Sequence, residues 1–276
     1  MPLIHKRKLT VAKFLKIGSE QIEIQWHRQE ENGYPTLIFL HEGLGCTEMW
    51  KDFPSLLSQK TGCPSLVFSR LGYGASDPSP IPWKINFMHK EGLYFLPALM
   101  KEAKIRDHIL IGHSDGGSIS IIYAGSPYAK GLKALITMAA HVFCEEITLK
   151  SIYQANINYE YCDLRKKLEK YHGKNTENAF RGWNDVWLNP QFIHWNIEKY
   201  LPKIKIPMLA IQGNQDQYGS LKQLESVKQR AGNATIRIIE DCRHSPHIEQ
   251  SEKVLAIITR FINETIHLSP CKIQKK

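Results

Sequence analysis

The sequence predicts an α/β fold, with a mainly parallel sheet of eight strands flanked by helices. Three observations predict it. Short apolar runs alternate with longer stretches of helical character, as in successive βαβ units. The later apolar runs are nearly continuous, as strands buried on both faces require. The segment His108–Gly117, reading HILIGHSDGG, then passes from an apolar strand through a glycine-rich turn into SISIIYA, which has helical potential.

The strands come in order. Leu9–Phe14 and Gln21–His27 alternate, and the turn Glu31-Asn32-Gly33-Tyr34-Pro35 follows them, so they form an antiparallel edge. Thr36–His41, Ser65–Ser69, His108–Gly112, Lys133–Ala139, Met208–Gln212 and Thr235–Glu240 supply the rest. Helices are expected at Met49–Gln59, Met88–Ala103, Ser118–Ala124, Leu221–Arg230 and Glu252–Asn263. Between Ala140 and Pro207 lie 66 residues, far beyond the usual length of an α/β connection. Residues 141–206 are therefore an insertion with its own structure, and residues 1–140 and 207–276 make the core. The insertion holds helical patches at Ile152–Tyr161 and Leu164–Tyr171, together with Trp183, Trp187, Trp195, Phe180 and Phe192. Most of these aromatics are expected to form the insertion's own core, with one or two facing a pocket.

Composition bounds the function. The net charge of +9 is spread along the chain, with short clusters only at His5–Lys8, Arg165–Lys167 and Lys272–Lys276. No basic stripe interleaved with aromatics is present, so the charge reads as a solvated lysine-rich surface and no nucleic-acid partner is expected. Six cysteines show no paired spacing, which suits reduced thiols. No signal-type apolar segment or membrane-length apolar run is seen, so the expectation is a cytoplasmic protein without membrane partner.

Gly112-His113-Ser114-Asp115-Gly116 has the G-x-S-x-G pattern, in which the serine occupies a strained corner with its hydroxyl clear of the backbone. A serine hydroxyl needs a base, an orienting acid and donors for an oxyanion. Asp216, in the turn after Met208–Gln212, is the expected acid. After the last strand, His244 and His247 compete for the base, and His244 lies nearer the strand end. Backbone N–H groups of Asp115 and of Gly43, in His41-Glu42-Gly43-Leu44-Gly45, are the expected oxyanion donors. Glu42, His141, Trp183 and Trp187 are the expected substrate-facing residues. No metal and no cofactor is called for, since His244 and His247 have no third ligand at a sensible spacing.

The order Ser114, Asp216, His244 and the segments Leu40–Gly45, Ser69–Asp77, Gly112–Gly117, Gly213–Asp216 and Cys242–Glu249 resemble the α/β-hydrolase superfamily. Nearly the whole chain resembles its cap-bearing branch of enol-lactonases, carboxylesterases, C–C bond hydrolases, haloperoxidase-like enzymes and proline iminopeptidases. The resemblance implies a helical cap inserted after strand 6, a small-molecule substrate and hydrolysis of an ester, lactone or thioester. Amide and C–C bond cleavage, or slow turnover by a ligand receptor, are alternatives on the same fold. The chain departs from the family pattern at Glu42, where glycine is usual, at Ser69, where aspartate is frequent, and at Arg243, where glycine is common. Glu42 beside the oxyanion loop would repel anionic substrates, tie down the loop, or bind an amine.

Overall fold

A computed structural model describes residues 13–28 and 33–268. Strand residues Leu9–Ala12, turn residues Glu31 and Asn32, Cys271 and the two terminal basic clusters lie outside the described residues. Eight strands form one sheet: β1 Lys13–Ile17, β2 Glu20–His27, β3 Thr36–Leu40, β4 Ser65–Phe68, β5 His108–His113, β6 Leu132–Met138, β7 Met208–Gly213 and β8 Ala234–Ile239. Their order is β1-β2-β4-β3-β5-β6-β7-β8. The pairs β1–β2 and β2–β4 are antiparallel and the rest are parallel, so the antiparallel edge is where the alternation put it.

The sheet is covered on both faces. Alternate residues of a strand point to opposite sides. Ile38, Leu40, Leu66, Leu110, Leu135 and Ala210 enter one core. Leu37, Phe39, Val67, Ile109, Ile111, Ile136, Leu209 and Ile211 enter the other. The second is closed by α1 (Phe53–Thr61) and by α10 (Ser251–Leu268), which follows the short α9 (Pro246–Glu249). The first is closed by α2 (Phe87–Lys90), α3 (Leu96–Glu102), α4 (Asp115–Ala124) and α8 (Lys222–Arg230). All ten residues of α4 are buried, which explains why its sequence shows no polar face.

Two expected helices are interrupted. Met49–Gln59 divides into a 3₁₀ turn, Thr47–Trp50, and α1, because Lys51 takes a positive φ of 53° and Pro54 sits in the first turn of α1, where a missing N–H costs nothing. Met88–Ala103 divides at a π turn, Glu91–Phe95. Pro97 follows it, has no N–H to continue the α ladder, and would crowd the carbonyl one turn back.

Between β6 and β7 come α5 (Glu146–Tyr161), α6 (Leu164–His172) and α7 (Thr176–Trp187), then short 3₁₀ turns. Phe180, Trp187 and Phe192 are fully buried, Tyr159 stacks on Phe180 with centroids 3.6 Å apart, and Phe192 stacks on Trp195 at 5.5 Å. The aromatic cluster is mostly the core of this segment. Among the described residues, Cys46, Cys63, Cys144, Cys162 and Cys242 are free, and no helix is long and apolar enough to cross a membrane.

Candidate active site

Ser114 separates β5 from α4, with φ 50° and ψ −119°. That conformation is sterically unfavourable for a residue with a Cβ, by about 1–3 kcal/mol, and the surrounding packing must hold it. Its neighbours leave room only for glycine. A Cβ on Gly112 would lie 2.4 Å from the Gly116 carbonyl oxygen, and one on Gly116 would lie 2.1 Å from the Leu40 oxygen. The second contact brings the end of β3 directly against the turn.

The loops after β7 and β8 meet beside Ser114. Gln215 N–H donates to the Cys242 carbonyl at 2.9 Å. Asp216 Oδ1 accepts from His244 Nδ1 at 2.8 Å and from Tyr218 N–H at 2.8 Å, while Oδ2 accepts from the Gln212 side-chain amide at 3.3 Å. With the proton on Nδ1, the lone pair of His244 Nε2 faces Ser114 Oγ at 2.9 Å. Burial pushes Asp216 towards the neutral acid, but the charge and hydrogen bond of His244, with the Tyr218 N–H, outweigh it and hold the carboxyl below its ordinary value. The structure thus brings Ser114, His244 and Asp216 into one chain of hydrogen bonds. A proton can pass from Oγ to Nε2, and the carboxylate fixes the tautomer that accepts it.

His247 is elsewhere. It is buried against Trp50, Phe53 and His113, with ring centroids at 4.7, 5.8 and 4.7 Å. Arg243 is exposed, and its backbone N–H donates to Glu249.

The loop after β3 is held through its backbone. The Glu42 carbonyl accepts from His41 Nδ1 at 2.7 Å and from Arg70 Nη2 at 2.9 Å. His41 Nε2 accepts from the Arg70 N–H at 3.0 Å, which fixes the His41 tautomer. Burial, helped by the charge of Arg70, keeps His41 well below its ordinary pKa and therefore neutral. The peptide whose N–H belongs to Gly43 is clamped from its carbonyl side. The N–H of Asp115 opens α4, where no carbonyl one turn earlier is available to it. Both N–H groups can serve as donors to an oxygen anion.

The expected substrate-facing residues are placed as follows. The Glu42 carboxylate turns to His113 Nδ1 at 3.4 Å and packs against Gly45. Trp183 lies on Gly43, so closely that a Cβ there would fall 2.1 Å from the indole nitrogen. Trp187 is buried, and its indole N–H donates to Asp115 Oδ1 at 3.2 Å. Burial raises Asp115 to about 6, against the pull of Arg70 and the Trp187 hydrogen bond. His141 Nε2 donates to the Tyr218 carbonyl at 3.0 Å, and its ring lies 6.0 Å from that of His244. Burial first, and the neighbouring His244 second, lower His141 to about 4.

Several residues at the site carry no reading in the sequence. Arg70, His113 and Tyr218 hold the loops, and His172 bridges two of them, accepting from Gly74 N–H and donating to the Leu44 carbonyl, both at 3.0 Å. Glu23 on β2 accepts from Ser69 Oγ at 2.6 Å and from Ala75 N–H at 3.0 Å, supplying a carboxylate where the family often has one at position 69. A chargeable side chain inside a glycine-rich motif, as at Glu42 and His113, is the signal that such partners exist.

The sequence model of the α/β-hydrolase fold matches residues 35–194. A proline iminopeptidase of Lactobacillus helveticus (strain DPC 4571) is 22% identical over 275 residues, covering 85% of this chain and 92% of that one. Among solved structures, a carboxylesterase of Nitrososphaera gargenis is similar with a TM-score of 0.74 at 16% identity, over 92% of this chain and 99% of that one. The enol-lactonase from Burkholderia xenovorans LB400 is similar with a TM-score of 0.71 at 15% identity, over 91% and 99%.

Proposed function

The chain belongs to the α/β-hydrolase fold family, and from that premise we propose that it is a serine hydrolase cleaving a small carboxylic ester, lactone or thioester. The observation that carries this reading is the hydrogen-bond chain from Ser114 through His244 to Asp216. His244 Nε2 takes the hydroxyl proton as Ser114 Oγ bonds to the substrate carbonyl carbon. Asp216 holds the imidazole and stabilises the imidazolium that forms. The N–H groups of Gly43 and Asp115 receive the oxyanion. The imidazolium returns its proton to the leaving oxygen or sulfur, and the acyl group stays on Ser114. Water, giving its proton to His244, then releases the acid and restores the serine. These steps need no metal or cofactor.

Residues 141–206 act as a cap over the site in this reading, with Trp183 bordering the space beside Gly43. Free cysteines suit a reducing, cytoplasmic setting. Aminopeptidase activity with the same three residues is the second reading, supported by the similarity to proline iminopeptidase. A panel of p-nitrophenyl esters of graded acyl length, assayed beside prolyl p-nitroanilide, separates the two. Turnover confined to esters supports the first reading. Turnover confined to the anilide replaces it with the second.

A further inference from the structure

The hydrolase reading uses Ser114, His244, Asp216 and two backbone N–H groups. It leaves a partly exposed carboxylate, Glu42, and a buried imidazole, His113, in contact beside them. His113 directly precedes Ser114, and Glu42 directly precedes Gly43. The two nitrogens of His113 face different partners. Nδ1 meets Glu42 Oε2 at 3.4 Å, and Nε2 meets the His244 carbonyl at 2.8 Å. A carbonyl oxygen only accepts, so Nε2 carries a proton. An ionised carboxylate also only accepts, so with Glu42 charged the Nδ1 contact calls for a second proton, which would make the ring an imidazolium.

We propose that Glu42 is a positioning residue: through a His113 imidazolium its carboxylate ties the oxyanion loop to the serine turn and to the loop that carries His244. The proposal rests on the serine hydrolase reading for its effect on rate, although the charge state of the ring stands apart from it. Three loops meet at this one ring. The Glu42 carbonyl meanwhile accepts from His41 and Arg70, so both ends of the residue are held and the Gly43 N–H between them is fixed in direction. A glycine at position 42 would supply the carbonyl but not the tie.

The surroundings set the charges. Facing His113 are Glu42, His244 with ring centroids 5.3 Å apart, His247 at 4.7 Å and the Trp50 ring at 6.5 Å. The charges of Asp216 and Asp115 also act on or from this ring. His247 is held well below its ordinary pKa, chiefly by burial and then by the charge on His113. It therefore stays neutral. Burial alone would lower His113, but the hydrogen bond and charge of Glu42 reverse this and raise it above 6.5. Burial likewise opposes the Glu42 charge, and His113 outweighs it, so Glu42 lies well below 4.5. The tie is accordingly intact across the range between those values. Its contribution is complete below pH 6.5 on the histidine side and is lost as pH rises through the folded value of His113.

The test is a long-range ¹H–¹⁵N correlation on protein labelled with ¹⁵N-histidine, with His113 identified by its absence in His113→Gln. Both ring nitrogens of His113 are expected to be protonated at pH 7, and Glu42→Gln is expected to turn the ring neutral at that pH. A neutral His113 in the wild type overturns the proposal. The rate of Ser114 labelling by a fluorophosphonate is expected to fall by about 10–100-fold in Glu42→Gln and in His113→Gln. For ester turnover, kcat should fall with KM held within about twofold, since ground-state contacts to substrate are untouched. Unchanged rates in both folded variants would overturn the positioning role. Wild-type protein that takes no label contradicts the hydrolase reading instead, while the ring state of His113 is still read directly.

Discussion

The strand-end loops and the helical insertion reach Ser114 by different routes. The loops after β3, β5, β7 and β8 deliver their groups through backbone geometry. Ser114 is fixed by a strained turn between two glycines, Asp216 by the Tyr218 N–H, and the Gly43 peptide by its clamped carbonyl. The insertion delivers side chains instead: Trp183 rests on Gly43, Trp187 donates to Asp115, and His172 bridges two loops. In the proposed reading, the loops set the chemistry and the insertion sets what is admitted to it.

The sharpest way to break that division is to remove the reacting groups. Ser114→Ala and His244→Ala should each lower hydrolysis by about 10⁴–10⁶-fold, and Asp216→Asn by about 10⁴-fold, with melting temperatures near wild type. Ester assays with a matched thermal melt check this. A His247→Ala loss exceeding that of His244→Ala would reassign the base.

Changes in the insertion should act on a smaller scale and on other quantities. Trp183→Ala removes a ring packed on Gly43, and loss of a buried tryptophan costs about 3–5 kcal/mol of stability. It should also shift the preferred acyl length while some turnover remains. Trp187→Phe strips Asp115 of an indole donor, at about 1–3 kcal/mol, with labelling of Ser114 retained. If either variant stays folded yet loses as much activity as Ser114→Ala, the division between the regions fails.

The narrowest effect, confined to stability within one pH window, concerns Asp115, where the two regions touch. Its folded pKa of about 6 lies above its ordinary 3.8, so the folded protein holds the proton more tightly. As pH rises between those values the unfolded chain releases the proton first, and folding loses stability through that window. Asp115→Asn removes the loss. Denaturant melts should show the variant gaining on wild type between about pH 4 and pH 6, levelling above, by up to about 3 kcal/mol. A difference independent of pH would show that Asp115 does not titrate there.

This contrast also explains what the sequence disclosed. The central strands β3 to β7 were legible because a strand buried on both faces must be a continuous apolar run, whereas β8, expected to be buried likewise, lies at the sheet edge and is half exposed. Gly112 and Gly116 were legible because backbone packed that closely tolerates no Cβ. The expected segments for Ser114, Asp216 and His244 follow strand ends, which the sheet brings to one edge. Arg70, His113 and Tyr218 were not legible, because their parts depend on which backbone atoms from distant segments arrive beside them. The helix breaks at Lys51 and near Pro97 were likewise hidden beneath a continuous helical pattern. In the insertion, Trp183 and Trp187 lie four residues apart on α7, yet only the packed helix shows that one meets Gly43 and the other Asp115.

The most direct test of the central claim is labelling of the purified protein with a fluorophosphonate, read by intact mass and by peptide mapping. One adduct per chain is expected, on the peptide containing Ser114, absent from Ser114→Ala. A folded wild-type protein that takes no label, or an adduct that persists in Ser114→Ala, would contradict it.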